Sequence, residues 1–341
     1  RRVYMQYVRL GKTGLNVSPV AFGGIPIQRG TAEDTKAIVD KMEELGMNYI
    51  DTARGYTVSE EYLGAALQGR RERFILATKS MVRDCSGMKK EVDVSLEKLR
   101  TDYIDLYQIH NIKTADFEQV FGEEGAYKAL LEARHEGKIG HIGITAHSID
   151  DLKTILSEHA DQIETIMFPF NLVEIQGEAA LKEAKAKDIG TIAMKPLAGG
   201  NLEDWRLALR FVALSGTCDI SIPGMGDVEE VEKNASVCCD LSPLTEEERT
   251  EIERLRKELG NQFCRRCGYC APCTVGIDIP TNFVFANYLR KYGLADWAKD
   301  RYASLKVNAS DCIQCGVCEE RCPYDLPIMD MLKKVEEDFA R

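Results

Sequence analysis

The sequence predicts an α/β chain: a (β/α)₈ TIM barrel with an N-terminal β-hairpin, then a small cysteine-rich domain. Three observations carry this expectation. Up to about residue 242, short apolar β-branched runs alternate with amphipathic helical patterns until eight β-then-α units are complete. The segment after the first strand run, Phe22-Gly23-Gly24-Ile25-Pro26, is not the G-x-G-x-x-G that a doubly wound open sheet would place there. Finally, eight of the 12 cysteines crowd into 264–322, where the barrel pattern has stopped.

In chain order, the apolar runs 5–10 and 15–18 flank Gly11-Lys12-Thr13-Gly14 and read as a β-hairpin. The strand runs follow at 19–24, 48–53, 74–80, 103–110, 139–146, 165–171, 191–196 and 220–224. They are nearly continuously apolar, as parallel strands covered on both faces must be. Between them lie helical patterns such as 32–45, which sets Ala37, Ile38, Met42 and Leu45 on one face. Ser59 reads as the N-cap of a helix over 60–67. Gly46, Gly137, Gly190 and Gly216 stand where helices should stop. One further helix, 244–259, is capped by Thr245 and ended by Gly260, which places the domain boundary between 1–260 and 261–341.

The formal charge of −11 argues against nucleic acid or an anionic membrane as partner. That charge is uneven. From Cys264 to the end, 11 basic side chains balance 11 acidic ones, so the preceding part carries 33 basic against 44 acidic. No stretch approaches the ~18–20 apolar residues of a membrane helix, and residues 1–10 lack the apolar core of a secretion signal. The expectation is a soluble, cytoplasmic chain.

Cys264, Cys267, Cys270 and Cys273 form C-x₂-C-x₂-C-x₂-C, and Cys312, Cys315, Cys318 and Cys322 form C-x₂-C-x₂-C-x₃-C before Pro323. Disulfides suit small secreted proteins, and a zinc site takes four ligands from two knuckles, leaving half of these thiols idle. Two-residue spacing instead lets three thiolates converge on one face of a cuboidal 4Fe–4S cluster, and the fourth Cys of such a run ligates the other cluster. The expected sets are Cys264, Cys267, Cys270 with Cys322, and Cys312, Cys315, Cys318 with Cys273. The motifs resemble dicluster ferredoxins. The spacer between them is longer than in the compact bacterial type and carries Phe285, Leu289 and Tyr292 at helical spacing, then Gly293, Leu294, Trp297, Ala298 and Leu305. It resembles the mainly α-helical ferredoxin-like domain of succinate dehydrogenase iron–sulfur subunits. Cys85, Cys218, Cys238 and Cys239 have no ligand spacing and read as small apolar residues.

Asp51-Thr52-Ala53-Arg54-Gly55-Tyr56-Thr57-Val58-Ser59-Glu60 resembles the aldo-keto reductase segment D-T-A-x-x-Y-G-x-S-E, with Thr57 for the usual Gly. Ala77-Thr78-Lys79 and Asp105-Leu106-Tyr107-Gln108-Ile109-His110 resemble that family's T-K and D-L-Y-x-x-H strand ends, and 11–18 its hairpin. The resemblance covers roughly 5–240, and the Cys-rich tail occurs in one branch of the family. The chemistry is consistent without the name. Carbonyl reduction needs a proton at oxygen; a Tyr with pKa near 10 gives it up readily only beside a cation. Tyr56 is then the donor, Lys79 the cation, Asp51 its partner, and His110 the hydrogen-bond donor to the carbonyl. All four fall at the C-terminal face, where barrel enzymes keep their chemistry.

The resemblance also implies an NAD(P)H site. Gly224 and Met225, with Asn234 ten residues on, match the phosphate and adenine end, followed by Gly226-Asp227 rather than a basic residue. At the nicotinamide end stand Thr145-Ala146 and Met167, with Asn171 and Lys195-Pro196-Leu197 as further lining. His147 is a candidate for the pocket wall; His135, His141 and His159 read as structural. Three functions stay open: an oxidoreductase acting on a small-molecule carbonyl, an electron-transfer protein docking a redox partner, and a flavin-dependent enzyme with the clusters as its wire.

Overall fold

The computed structural model describes residues 5–260, 263–266, 268–291, 293–322 and 324–340. The chain divides into two units, Arg1–Thr245 and Glu246–Arg341. The helix over Glu246–Leu259 lies in the second unit.

In the first unit a hairpin, β1 (Val8–Arg9) and β2 (Asn16–Val17), precedes the barrel and pairs antiparallel, Val8 opposite Val17. The barrel strands are β3 (Phe22–Gly23), β4 (Tyr49–Asp51), β5 (Ile75–Ser80), β6 (Ile104–Ile109), β7 (Ile139–Thr145), β8 (Thr165–Pro169), β9 (Gly190–Met194) and β10 (Ile220–Ile222). They pair in parallel in sequence order, and the bridges Val20–Ser221 and Gly23–Gly224 join the last strand to the first. The helices between and after them are α1 (Ala32–Leu45), α2 (Ser59–Ala66), α3 (Cys85–Leu99), α4 (Phe117–Phe121), α5 (Ala126–His135), α6 (Ile149–Glu158), α7 (Glu178–Ala186), α8 (Trp205–Leu214) and, following β10, α9 (Val228–Val237).

The period of two along each strand separates two apolar cores. Phe22, Ile50, Leu76, Tyr107, Ile142, Ile166 and Ala193 pack outward with Ile38, Met42 and Leu63 of the helices. Ala21, Tyr49, Ala77, Leu106, Met167, Ile192 and Ile220 fill the lumen together with Leu10 and Val17 of the hairpin. The hairpin docks closely because Gly11 has no Cβ: one added there would stand 2.1 Å from Gly190 N.

Two local expectations are corrected. Ser59 is the first helical residue rather than the N-cap, and its hydroxyl lies 2.8 Å from Thr52 Oγ1 and donates to Gly24 O at 3.1 Å. Gly190 does not stop a helix; it opens β9, and Asp188, at φ 58°, makes the left-handed turn instead. Gly46, by contrast, ends α1 in the left-handed conformation at φ 79°.

The second unit contains α10 (Glu246–Leu259), α11 (Ile279–Arg290), α12 (Ala295–Ala303), α13 (Val317–Glu320) and α14 (Ile328–Phe339). Asp278 caps α11, accepting from Thr281 N at 3.1 Å, with Pro280 in the first turn. The spacer is helical as expected, and Phe283 and Ala286 enter the core with Ile277, Leu326, Leu332 and Val335. Phe285 packs edge-on against Trp297, with ring centroids 6.1 Å apart. Tyr292 lies outside the described residues. Among the described residues, no helix is long and apolar enough to cross a membrane.

Candidate active site and cluster ligands

Lumen-facing positions near the C-terminal strand ends are where side chains meet the barrel mouth. Asp51 ends β4 in phase with Tyr49, and Lys79 lies on β5 in phase with Ala77. Gln108 and His110 follow Leu106 on and just after β6, and Lys79 and Gln108 are paired residues of adjacent strands. The Lys79 ammonium donates to Asp51 Oδ2 and, at 2.8 Å, to Thr52 O. Gln108 Nε2 donates to Asp51 Oδ1 at 3.3 Å. All three side chains are buried.

Burial sets the electrostatics. It pulls the Lys79 ammonium below its ordinary value and raises the Asp51 carboxyl, while their contact opposes both shifts. Lys79 Nζ lies 4.9 Å from the centroid of the Tyr56 ring. The Tyr56 and His110 rings meet edge to face, with centroids 6.3 Å apart and planes at 87°. Burial first, then the positive charges of Lys79, Arg83 and Lys195, push His110 down to about 3 from an ordinary 6.5. The imidazole is neutral, and its buried Nδ1 finds no hydrogen-bond partner among the described residues.

The loop that carries Tyr56 is tightly built. Tyr56 N donates to Ala53 O at 3.0 Å, and Thr57 follows at φ 42°. That left-handed conformation explains the glycine of the resembling motif, since a β-branched residue there is strained. Thr57 Oγ1 donates to Gln28 Oε1 at 2.8 Å. Behind the loop, buried Glu60 accepts from Arg54 Nη1 at 2.6 Å, Thr78 Oγ1 at 2.7 Å and Ser95 Oγ at 2.9 Å.

The expected cofactor residues are spread around the same rim. Thr145 ends β7, and its hydroxyl accepts from Asn111 N at 2.7 Å. Asn171 is buried with its amide fully engaged: Nδ2 donates to Glu174 Oε2 at 2.8 Å and Lys195 O at 3.0 Å. Its Oδ1 accepts from Val173 N at 3.0 Å and Glu174 N at 2.9 Å. Lys195 takes a left-handed φ of 55°; Pro196 beside it is buried and Leu197 half-buried. Gly224 meets Gly23 across the barrel seam, where a Cβ on Gly224 would come within 2.9 Å of Pro26 Cγ. Met225 and Asn234 are buried. Gly226 N donates to Glu230 Oε2 at 2.6 Å. His147 Nδ1 lies 2.8 Å from Asn111 Oδ1, while His141 pairs with Glu164 at 2.8 Å and His159 stacks on Phe121.

In the second unit, Cys273, Cys312, Cys315 and Cys318 line one small cavity. Cys273 thus shares a wall with three cysteines of the other motif. Cys264, Cys270 and Cys322 pack against the same apolar core, and Cys267 lies outside the described residues, as does Pro323. The two motifs repeat one backbone shape. Arg266 and Gly268 are left-handed at φ 60° and 86°, as are Gln314 and Gly316 at φ 54° and 79°. One consequence is that Arg266 N donates to Cys264 Sγ at 3.3 Å. Among the described residues no group of three His, Cys, Asp or Glu side chains is placed to hold a single metal ion. Cys85, Cys218 and Cys238 are buried, whereas Cys239 is exposed.

Residues 19–207 match the aldo/keto reductase family, and residues 263–327 match the 4Fe-4S dicluster domain. The chain belongs to the aldo/keto reductase family. L-galactose dehydrogenase of Arabidopsis thaliana is 27% identical over 74% of this chain and 94% of its own length. The uncharacterized oxidoreductase YqkF of Bacillus subtilis is 34% identical over 59% and 67%. Among solved structures, the holo form of a Bacillus halodurans aldo-keto reductase is 27% identical. It superposes with a TM-score of 0.65 over 74% of this chain and 96% of that one.

For an aldo/keto reductase barrel, sequence reasoning missed Gln108 and the Arg54–Glu60 pair. Each stood inside a quoted motif, where Gln108 shares the inward phase of His110. Only the pairing of β5 with β6 shows that it reaches Asp51.

Proposed function

We propose that this oxidoreductase reduces a small-molecule carbonyl, or oxidises the corresponding alcohol, with Tyr56 as proton donor. We propose as well that its dicluster domain holds two 4Fe–4S clusters that move single electrons. The carrying observation is the buried Asp51–Lys79 pair, 4.9 Å from the Tyr56 ring, with neutral His110 edge-on to the same ring.

Each residue then has a task. Asp51, steadied by Gln108, keeps Lys79 protonated against its burial. The Lys79 cation lowers the cost of leaving negative charge on the Tyr56 oxygen as its proton passes to the carbonyl oxygen. His110, neutral, donates a hydrogen bond to the same oxygen. The Glu60 network fixes the loop that sets Tyr56 at the mouth.

The barrel mouth suits a nicotinamide, which would supply the hydride. Two buried polar atoms without partners among the described residues, His110 Nδ1 and Gln108 Oε1, mark the site. At the adenosine end, Glu230 already takes the Gly226 N–H, and Asp227 and Glu229 add charge beside it. A 2′-phosphate meets carboxylates there, which favours NADH over a strong NADPH preference. The seven described cluster cysteines fit 4Fe–4S chemistry, which would supply one electron at a time.

The dicluster domain favours one alternative: a barrel that binds flavin, with the clusters as its wire or as a port for a redox partner protein. A hydride moves two electrons together, and no side chain at the mouth splits a pair, whereas a flavin does. An absorption spectrum of freshly purified protein, before and after adding NADH, separates the two. The test of the main proposal is Tyr56→Phe, expected to lower carbonyl turnover by roughly 10²-fold or more with cofactor binding unchanged. Full turnover by that variant would rule out Tyr56 as donor.

A further inference from the structure

The cavity shared by Cys273, Cys312, Cys315 and Cys318 has an otherwise apolar wall: Pro272, Val275, Ile279, Ile313, Val317, Met329 and Leu332. The exception is Thr274. Its hydroxyl lies 3.4 Å from Cys315 Sγ, within hydrogen-bond reach for sulfur. A metal-bound thiolate has no proton, so in the loaded protein the hydroxyl is the donor.

We propose that Thr274 is a positioning residue for the cluster these four cysteines hold, and that its hydrogen bond to Cys315 raises that cluster's reduction potential. The proposal rests on the cluster assignment above. A cluster gains one electron and one negative charge on reduction, and part of that charge falls on its thiolates. A donor to a thiolate therefore stabilises the reduced form more than the oxidised one. The backbone donor to Cys264 from Arg266 comes from the fold of the loop, whereas the Thr274 donor is a side chain that one substitution removes.

The experiment is an EPR-monitored titration of anaerobically purified protein with dithionite, alongside iron and sulfide assays. For Thr274→Val, one midpoint potential moves down, the other stays, and iron content is unchanged; Thr274→Ser, which keeps the hydroxyl, stays near the wild type. Both midpoints unmoved in fully loaded Thr274→Val, or an equal drop in Thr274→Ser, overturns the proposal. If Thr274→Val loses iron, Thr274→Ala and Thr274→Ser are compared instead, and Ala must be the lower. Wild-type protein without iron, sulfide or an EPR signal would instead bring down the cluster assignment itself.

Discussion

Gln108 Nε2 and Asp51 Oδ1 stand 3.3 Å apart inside the barrel, so the carboxylate that pairs with Lys79 is held from two sides. Replacing Gln108 with Met keeps the volume and removes the donor. A hydrogen bond to a buried charged group is worth about 1.5–3 kcal/mol, and one this long falls at the low end. The expected outcome is a roughly tenfold fall in kcat with little change in KM, and a shifted alkaline limb of the pH–rate profile. An unchanged profile in a stably folded variant would show that Gln108 does not act through Asp51.

His110 links stability to acid. Its folded-state value is about 3 against 6.5 unfolded, so between those limits the unfolded chain binds the extra proton. Stability from this group is present above pH 6.5 and is lost as pH falls toward 3. Urea unfolding from pH 7 to 4 should show the wild type weakening more steeply than His110→Gln. Parallel curves would mean that His110 titrates normally.

Cys273 shares its cavity with Cys312, Cys315 and Cys318, so ligation that crosses between the motifs makes a double-variant test decisive. Anaerobic protein should hold about eight iron and eight sulfide per chain. Cys273→Ser and Cys312→Ser should each leave about four iron, and the pair together also about four, because both remove the same cluster. A double variant left with almost no iron would mean that each motif holds its own cluster.

Glu230 occupies the Gly226 N–H, and Arg29 reaches the same corner: its Nη2 would stand 3.6 Å from a Cβ on Gly226. Glu230→Gln removes one negative charge from the corner where a 2′-phosphate would meet Arg29. NADPH should bind roughly tenfold tighter to this variant, with NADH nearly unchanged. Fluorescence titration with both cofactors measures it; no gain for NADPH would remove Glu230 from the specificity argument.

The sequence by itself determined the eight β-then-α units and the two cysteine motifs, and it put Asp51, Lys79 and His110 at or near strand ends with Tyr56 in the loop after one of them. Each is written in local terms: a period of two or 3.6, a fixed ligand spacing, a residue type at a strand end. It misplaced what depends on partners far along the chain. Ser59 read as a cap because its neighbours are helical, yet its hydroxyl is engaged by Thr52 and Gly24. Phe285 and Leu289 showed helical spacing, but which face of α11 enters the core, that of Phe283 and Ala286, is settled by its tertiary neighbours. Gln108 beside Asp51, Thr274 beside Cys315 and Glu230 on Gly226 are likewise products of packing. A side chain's phase is fixed locally, but the atom it meets is fixed by strand register and loop closure, which only the tertiary structure decides.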